Sequence, residues 1–185
     1  MENKESALQK ALKYNKKFVE QKEYLPFVTT KYPDTKVAIL SCMDTRLVEL
    51  LPAALGFKNG CAKIIKNAGA IISHPYGSVI RSLLVAIYDL AVEEVWIIGH
   101  TDCGMEQMNS QKLIDKMKAR GISEDTLSHI SDNGICFESW LHGFDEVNEA
   151  ILKTAQSVKE HPLIPKDIKV VAMLMDSTTG EVKLL

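Results

Sequence analysis

The chain has 185 residues, 46% hydrophobic and 25% charged, with a formal net charge of −2. That length suits one domain with a substantial core and is too short for two comfortable ones. The near-neutral charge gives no electrostatic case for nucleic acid or an anionic membrane as a partner, and no apolar run approaches membrane-spanning length.

The opening residues, MENKESALQK, lack the apolar centre of a signal peptide, so a cytoplasmic location is expected. Residues 6–22 place Ala7, Leu8, Ala11, Leu12, Phe18 and Val19 among lysines, an amphipathic pattern with Ser6 as its N-cap. This helix belongs to an N-terminal arm, residues 1–33, that packs either on its own domain or on a second subunit. Residues 34–185 then form an α/β core. The run Val37-Ala38-Ile39-Leu40 reads as a buried strand leading directly into Cys42, Asp44 and Arg46. LVELLPAALGF follows as a short helical segment that Pro52 limits. A second strand is expected over 62–66, ending in the small residues Asn67-Ala68-Gly69-Ala70, which serve either a close ligand approach or a plain tight turn.

Residues 77–91 read as a deeply buried helix, and Val95 to Ile98 as a third strand running into Gly99-His100-Thr101-Asp102-Cys103-Gly104. Helical character is expected over 105–121, a fresh helix start at Ser123, and one long helix over 138–159 ended by Pro162 and Pro165. A fourth strand over 168–175 turns through Asp176 to Gly180 into a short antiparallel edge strand, 181–185. Alternating strands and helices indicate one α/β layer fold, a mainly parallel sheet of about four strands plus the C-terminal antiparallel edge, flanked by helices.

The chain's four cysteines, Cys42, Cys61, Cys103 and Cys136, form no CxxC pair, and in a cytoplasmic chain that favours ligands, nucleophiles or core thiols over disulfides. If the strands ending at Cys42 and at Ile98 are neighbours, Cys42, His100 and Cys103 converge at one edge of the sheet. Two thiolates and an imidazole are a recognised zinc set that leaves a fourth position for water or substrate. Zinc lowers the pKa of its water and so supplies hydroxide as a nucleophile. Asp44 is placed to orient that hydroxide, and Arg46 to hold Asp44 off the metal through a bidentate pair. Released, Asp44 would itself take the fourth metal position. Gly69 and Gly104 are the candidate substrate-binding positions. No phosphate-loop arginine follows Cys42, since Val48 stands there, and no GxGxxG or GxxxxGK[ST] stretch supports a nucleotide site.

C42-M-D44-T-R46 together with G99-H100-T-D-C103-G104 resembles the signature of the β-class carbonic anhydrases, and KNAGA (66–70) resembles the small-residue loop between them. The resemblance spans the whole chain and points to the compact bacterial or archaeal branch. It implies one zinc per chain on Cys42, His100 and Cys103, an Asp44–Arg46 catalytic dyad, a homodimer or higher oligomer, and reversible hydration of carbon dioxide to bicarbonate. Two other readings stay open: hydrolysis of carbon disulfide or carbonyl sulfide on the same scaffold, and a non-enzymatic zinc-binding or redox-sensing protein. Asp102 is expected to support its own loop, with support of Arg46 or the zinc ligands as the lesser alternative, Cys61 and Cys136 to be core or surface thiols, and His74, His129, His142 and His161 to be structural or exposed.

Overall fold

The computed structural model describes residues 5–185, so the first four residues of the expected arm lie outside the described residues. Helix α1 (Ala7–Glu20) starts on a reciprocal cap in which Ser6 Oγ accepts the Gln9 N–H and Gln9 Oε1 accepts the Ser6 N–H. None of its residues is buried, and Leu8 and Leu12 are 67% and 61% exposed. The apolar stripe of α1 is therefore largely exposed in the described chain. Phe18 meets Phe27, in the short 3-10 turn Leu25–Phe27, at 6.2 Å between ring centres.

The core is one five-stranded sheet. Its strands are β1 (Val37–Cys42), β2 (Ala62–Asn67), β3 (Glu94–His100), β4 (Lys169–Met175) and β5 (Val182–Leu184), in the order β2-β1-β3-β4-β5. Only the β4–β5 pair is antiparallel, as expected from sequence. Every residue of β1 is buried, because helices cover both faces of the sheet. On one face Ala38, Leu40, Val95 and Ile97 pack against Leu83 of α3 (Ser78–Tyr88) and Ile151 and Val158 of α7 (Val147–Glu160). On the other, Val37, Ile39, Ile98 and Met173 pack against Leu47 and Leu51 of α2 (Leu47–Ala54). Each of the larger of these side chains (Val, Leu, Ile, Met) contributes about 1.5–3 kcal/mol by leaving water.

Three boundaries differ from the sequence expectation. Strand β3 runs on through Gly99 and His100, because both still pair with β4, opposite Leu174 and Met175. The helix expected from residue 105 begins only at α4 (Ser110–Ala119), where Asn109 accepts the Lys112 N–H as its cap. It is followed by α5 (Glu124–Asp132). The long helix expected over 138–159 is broken into α6 (Phe137–Trp140) and α7. The break arises because residues 143–144 bond to 105–108 instead of continuing a helix. Gln107 N–H donates to Phe144 O at 2.7 Å, Gly143 N–H to Met108 O at 3.2 Å and Phe144 N–H to Met105 O at 3.2 Å. Gly143 permits this approach, since a Cβ there would sit 1.9 Å from the carbonyl oxygen of Met105. Gly143→Ala is therefore expected to lower stability by about 1–3 kcal/mol, seen as a lower urea midpoint at unchanged m-value.

Candidate metal centre

The order of the strands determines where chemistry can occur. The chain leaves β1 for β2 on one side and returns to β3 on the other, so the topological switch lies between β1 and β3. Cys42 ends β1 and His100 ends β3, and Cys103 lies in the turn three residues on. The ligand atoms of these three residues all lie within 4.8 Å of one another, with Cys42 Sγ and Cys103 Sγ 3.8 Å apart. All three side chains are buried.

His100 is oriented by its own loop. Its Nδ1–H donates to the Thr101 carbonyl at 2.9 Å, leaving Nε2 buried with no hydrogen-bond partner. A buried orphan acceptor beside two thiols is costly in a protein without a ligand and natural at a metal site. The donor set thus fits a zinc ion of the two-cysteine, one-histidine type. The Thr101 peptide is itself tied to the β4–β5 hairpin. Its N–H donates to Met175 O at 3.0 Å, and its Oγ1 accepts the Ser177 N–H at 3.0 Å.

Electrostatics favour ionisation of one thiol before the other. Cys42 is held far below the ordinary thiol range, first by the hydrogen bond from Cys103 and then, against burial, by His100 and by the Gly69 N–H at 3.4 Å. Cys103 is pushed up, chiefly by that same hydrogen bond to Cys42 and by burial. Burial pulls the His100 imidazolium down, and the neighbouring Cys42 thiolate outweighs it. Gly69 reaches Cys42 only because its backbone is left-handed, with φ of 81°. A Cβ at Gly69 would also lie 3.0 Å from the Phe144 ring and 3.1 Å from Met105.

Asp44 is not one of the three clustered ligand residues and is instead paired with Arg46. Arg46 Nε donates to its Oδ1 at 3.0 Å and Nη2 to its Oδ2 at 2.8 Å, while the Arg46 N–H adds a bond to Oδ1 at 2.9 Å. This bidentate pair holds the Asp44 carboxyl well below the usual carboxylate range. Arg46 does more than the sequence suggests. Its Nη1 donates to Asp102 Oδ2 and its Nη2 to the Asp102 carbonyl, each at 2.7 Å. Asp102, expected first to support its own loop, takes the lesser alternative and links the β3 loop to Arg46 on the β1 loop; its backbone is left-handed with φ of 54°.

Of the remaining expectations, Gly69 lies buried against Cys42, whereas Gly104 is exposed with open space beyond its Cα. Cys61 is half-buried and Cys136 exposed, both free thiols. His161 is buried and structural, its Nε2–H donating to Pro75 O at 2.9 Å. Residues that sequence reasoning did not assign are Thr101, Ser177, Met105, Phe144 and Lys66. Only Lys66 carried a signal, as the cation that opens KNAGA.

A family model described as carbonic anhydrase matches residues 37–182, which span β1 to β4 and reach the first residue of β5. The chain belongs to the β-carbonic anhydrase family. YtiB from Bacillus subtilis (strain 168), which carries a provisional carbonic anhydrase name, is 47% identical over 180 residues, covering 97% of this chain and 96% of its own. The crystal structure of a β-carbonic anhydrase, isoform I from Trichomonas vaginalis, superposes with a TM-score of 0.86 at 36% identity, covering 97% of each chain. A carbon disulfide hydrolase from Acidithiobacillus thiooxidans is 29% identical over 153 residues, covering 78% of this chain and 74% of its own.

The hydroxyl of Thr101 is the acceptor for the Ser177 N–H, so Thr101→Val leaves that donor unpaired. The expected cost is about 1–3 kcal/mol, measured by urea denaturation of the zinc-free protein.

Proposed function

We propose that this β-carbonic anhydrase hydrates carbon dioxide reversibly to bicarbonate and a proton, using one zinc per chain held by Cys42, His100 and Cys103. The observation that carries this reading is the buried ligand trio with an orphaned His100 Nε2, set beside a carboxylate already locked in place by arginine. When bound, zinc supplies a Lewis acid that makes a hydroxide nucleophile available from water near neutral pH.

The chain's own residues do the rest. Asp44 accepts a hydrogen bond from the attacking oxygen and turns its lone pair toward the substrate carbon. Arg46 keeps both Asp44 oxygens occupied, so the carboxylate stays clear of the fourth ligand position. Release of that pair would let Asp44 become a ligand and close the site. Gly69 and Gly104 border the substrate position, and the Gly69 N–H stabilises the Cys42 thiolate.

Asp44 is ionised at every pH at which activity would be assayed, because its arginine partner depresses its pKa. Its protonation therefore contributes no pH dependence near neutrality. Two thiolates cancel the formal charge of the metal and weaken it as a Lewis acid, so activity should rise from pH 7 to pH 9. A carbon dioxide hydration assay with metal analysis tests the reading: one zinc per chain and rising kcat/KM support it, and zinc without hydration refutes it. Arg46→Ala is expected to lose about 10–100-fold in turnover while retaining zinc, and normal turnover in that variant would remove Arg46 from the mechanism.

The similarity to a carbon disulfide hydrolase supports a second reading, in which the same hydroxide attacks carbon disulfide or carbonyl sulfide. Sulfide release assayed beside hydration separates the two. A purely zinc-binding or redox-sensing role leaves the Arg46 bridge to Asp44 and Asp102 without a task.

The working form we propose is a cytoplasmic homodimer or a higher homo-oligomer. No described helix is long and apolar enough to cross a membrane. The exposed stripe of α1 and the exposed apolar groups Ile64 on edge strand β2 and Val85 on α3 suit coverage by a second copy. Sedimentation should give a dimer or larger species, and removal of residues 1–33 should weaken that association.

A further inference from the structure

Lys66 is a half-buried cation at the end of β2, paired in register with Ser41, one residue before Cys42. Its Nζ donates to the Cys42 carbonyl at 3.1 Å and to the Leu47 carbonyl at 3.3 Å. Among the described residues it forms no ion pair with a carboxylate. Placing an ammonium in that setting costs free energy, and burial pulls its pKa down, countered by the charges of Cys42 and Asp44. A lysine that served only the surface would turn its ammonium out to water. This one is drawn in, and its two acceptors are the two ends of one loop.

That loop is the segment from Cys42 to Leu47. Asp44 satisfies two of the loop's N–H groups from within: Oδ1 accepts from Arg46 N–H, and the carbonyl accepts from Leu47 N–H at 3.1 Å. The Met43 N–H closes the β1–β2 ladder onto Asn67 O at 2.8 Å. Lys66 donates to the carbonyls at the loop's two ends, the second of them on the first residue of α2. We propose that Lys66 is a positioning residue of the metal centre: its ammonium ties the Cys42 carbonyl to the Leu47 carbonyl, fixing the loop that holds Asp44 and Arg46 beside the ligand trio. Lys66 acts through Cys42 on metal retention and through Asp44 on turnover, and touches neither metal nor substrate. The inference rests on the reading of Cys42 as a zinc ligand.

The test compares wild type, Lys66→Met and Lys66→Arg, each purified with zinc. Methionine keeps the length of the stem and removes the donors. Two readouts are taken: the rate of zinc loss to a chelator, which needs no turnover, and kcat and KM for carbon dioxide hydration. Lys66→Met is expected to lose zinc about tenfold faster and to drop kcat about tenfold with KM little changed. Zinc loss and kcat both at wild-type values in Lys66→Met overturn the proposal. Should Lys66→Met fail to fold, Lys66→Arg carries the test, since a guanidinium can still donate to both carbonyls. It is expected within about threefold of wild type in both readouts, and a tenfold loss there overturns the proposal. A wild-type protein that holds zinc but does not hydrate carbon dioxide refutes the proposed reaction and leaves the zinc-loss comparison to decide Lys66. A wild-type protein that binds no zinc overturns both.

Discussion

The site depends on the parallel ladder between β1 and β3. Ser41 pairs with Ile98 at its last rung, and the two strands then deliver Cys42 and His100 to the same end of the sheet. Parallel pairing is what puts both strand ends, and both loops, at one edge. Because the chain enters β2 on one side of β1 and β3 on the other, no crossover covers the gap between these ends. The buried, apolar β1 makes this register hard to slip: a shift of one residue would swap the two core faces that Ile39 and Leu40 fill.

A second constraint is electrostatic. The edge gathers two thiols that become thiolates on metal binding, and two carboxylates, Asp44 and Asp102. Arg46 answers both carboxylates with one planar fork, and in doing so joins the loop after β1 to the loop after β3. The exposed Asp102 pair adds little stability by itself. Its effect is geometric, since it pins the guanidinium that pins Asp44. Lys66 approaches the same loop from β2, and Gly69, in the turn after that strand, donates to Cys42 Sγ. The segment 105–108, bonded to 143–144, brings Met105 and Phe144 against Gly69 and closes the apolar wall.

Much of this was legible in the residues. The apolar runs marked the strands, the antiparallel C-terminal hairpin followed from the turn at Asp176 to Gly180, and the ligand trio stood out because thiols and an imidazole at strand ends need a purpose. What was missed shares one cause. The break between α6 and α7 arises from a main-chain bridge to 105–108, and a helical pattern of Phe144, Val147 and Ile151 carries no trace of a partner so far back in the chain. The role of Asp102 depends on where Arg46 points, 56 residues away. The clasp of Thr101 on Ser177 spans 76 residues, and neither residue type is distinctive alone.

The amino-acid sequence by itself determined the elements and the chemistry on offer. Hydrophobic periodicity is a local property, and the types Cys, His, Asp and Arg carry their reactivity wherever they are placed. The tertiary structure decided which of them meet. It set Cys42, His100 and Cys103 within reach of one ion, paired Asp44 with Arg46, and recruited Asp102 and Lys66 as partners. These pairings follow from strand order and loop path, which depend on how distant segments bury their surfaces together. No local pattern encodes them, and so VAILSCMDTR announced a reactive strand end without revealing what would hold it in place.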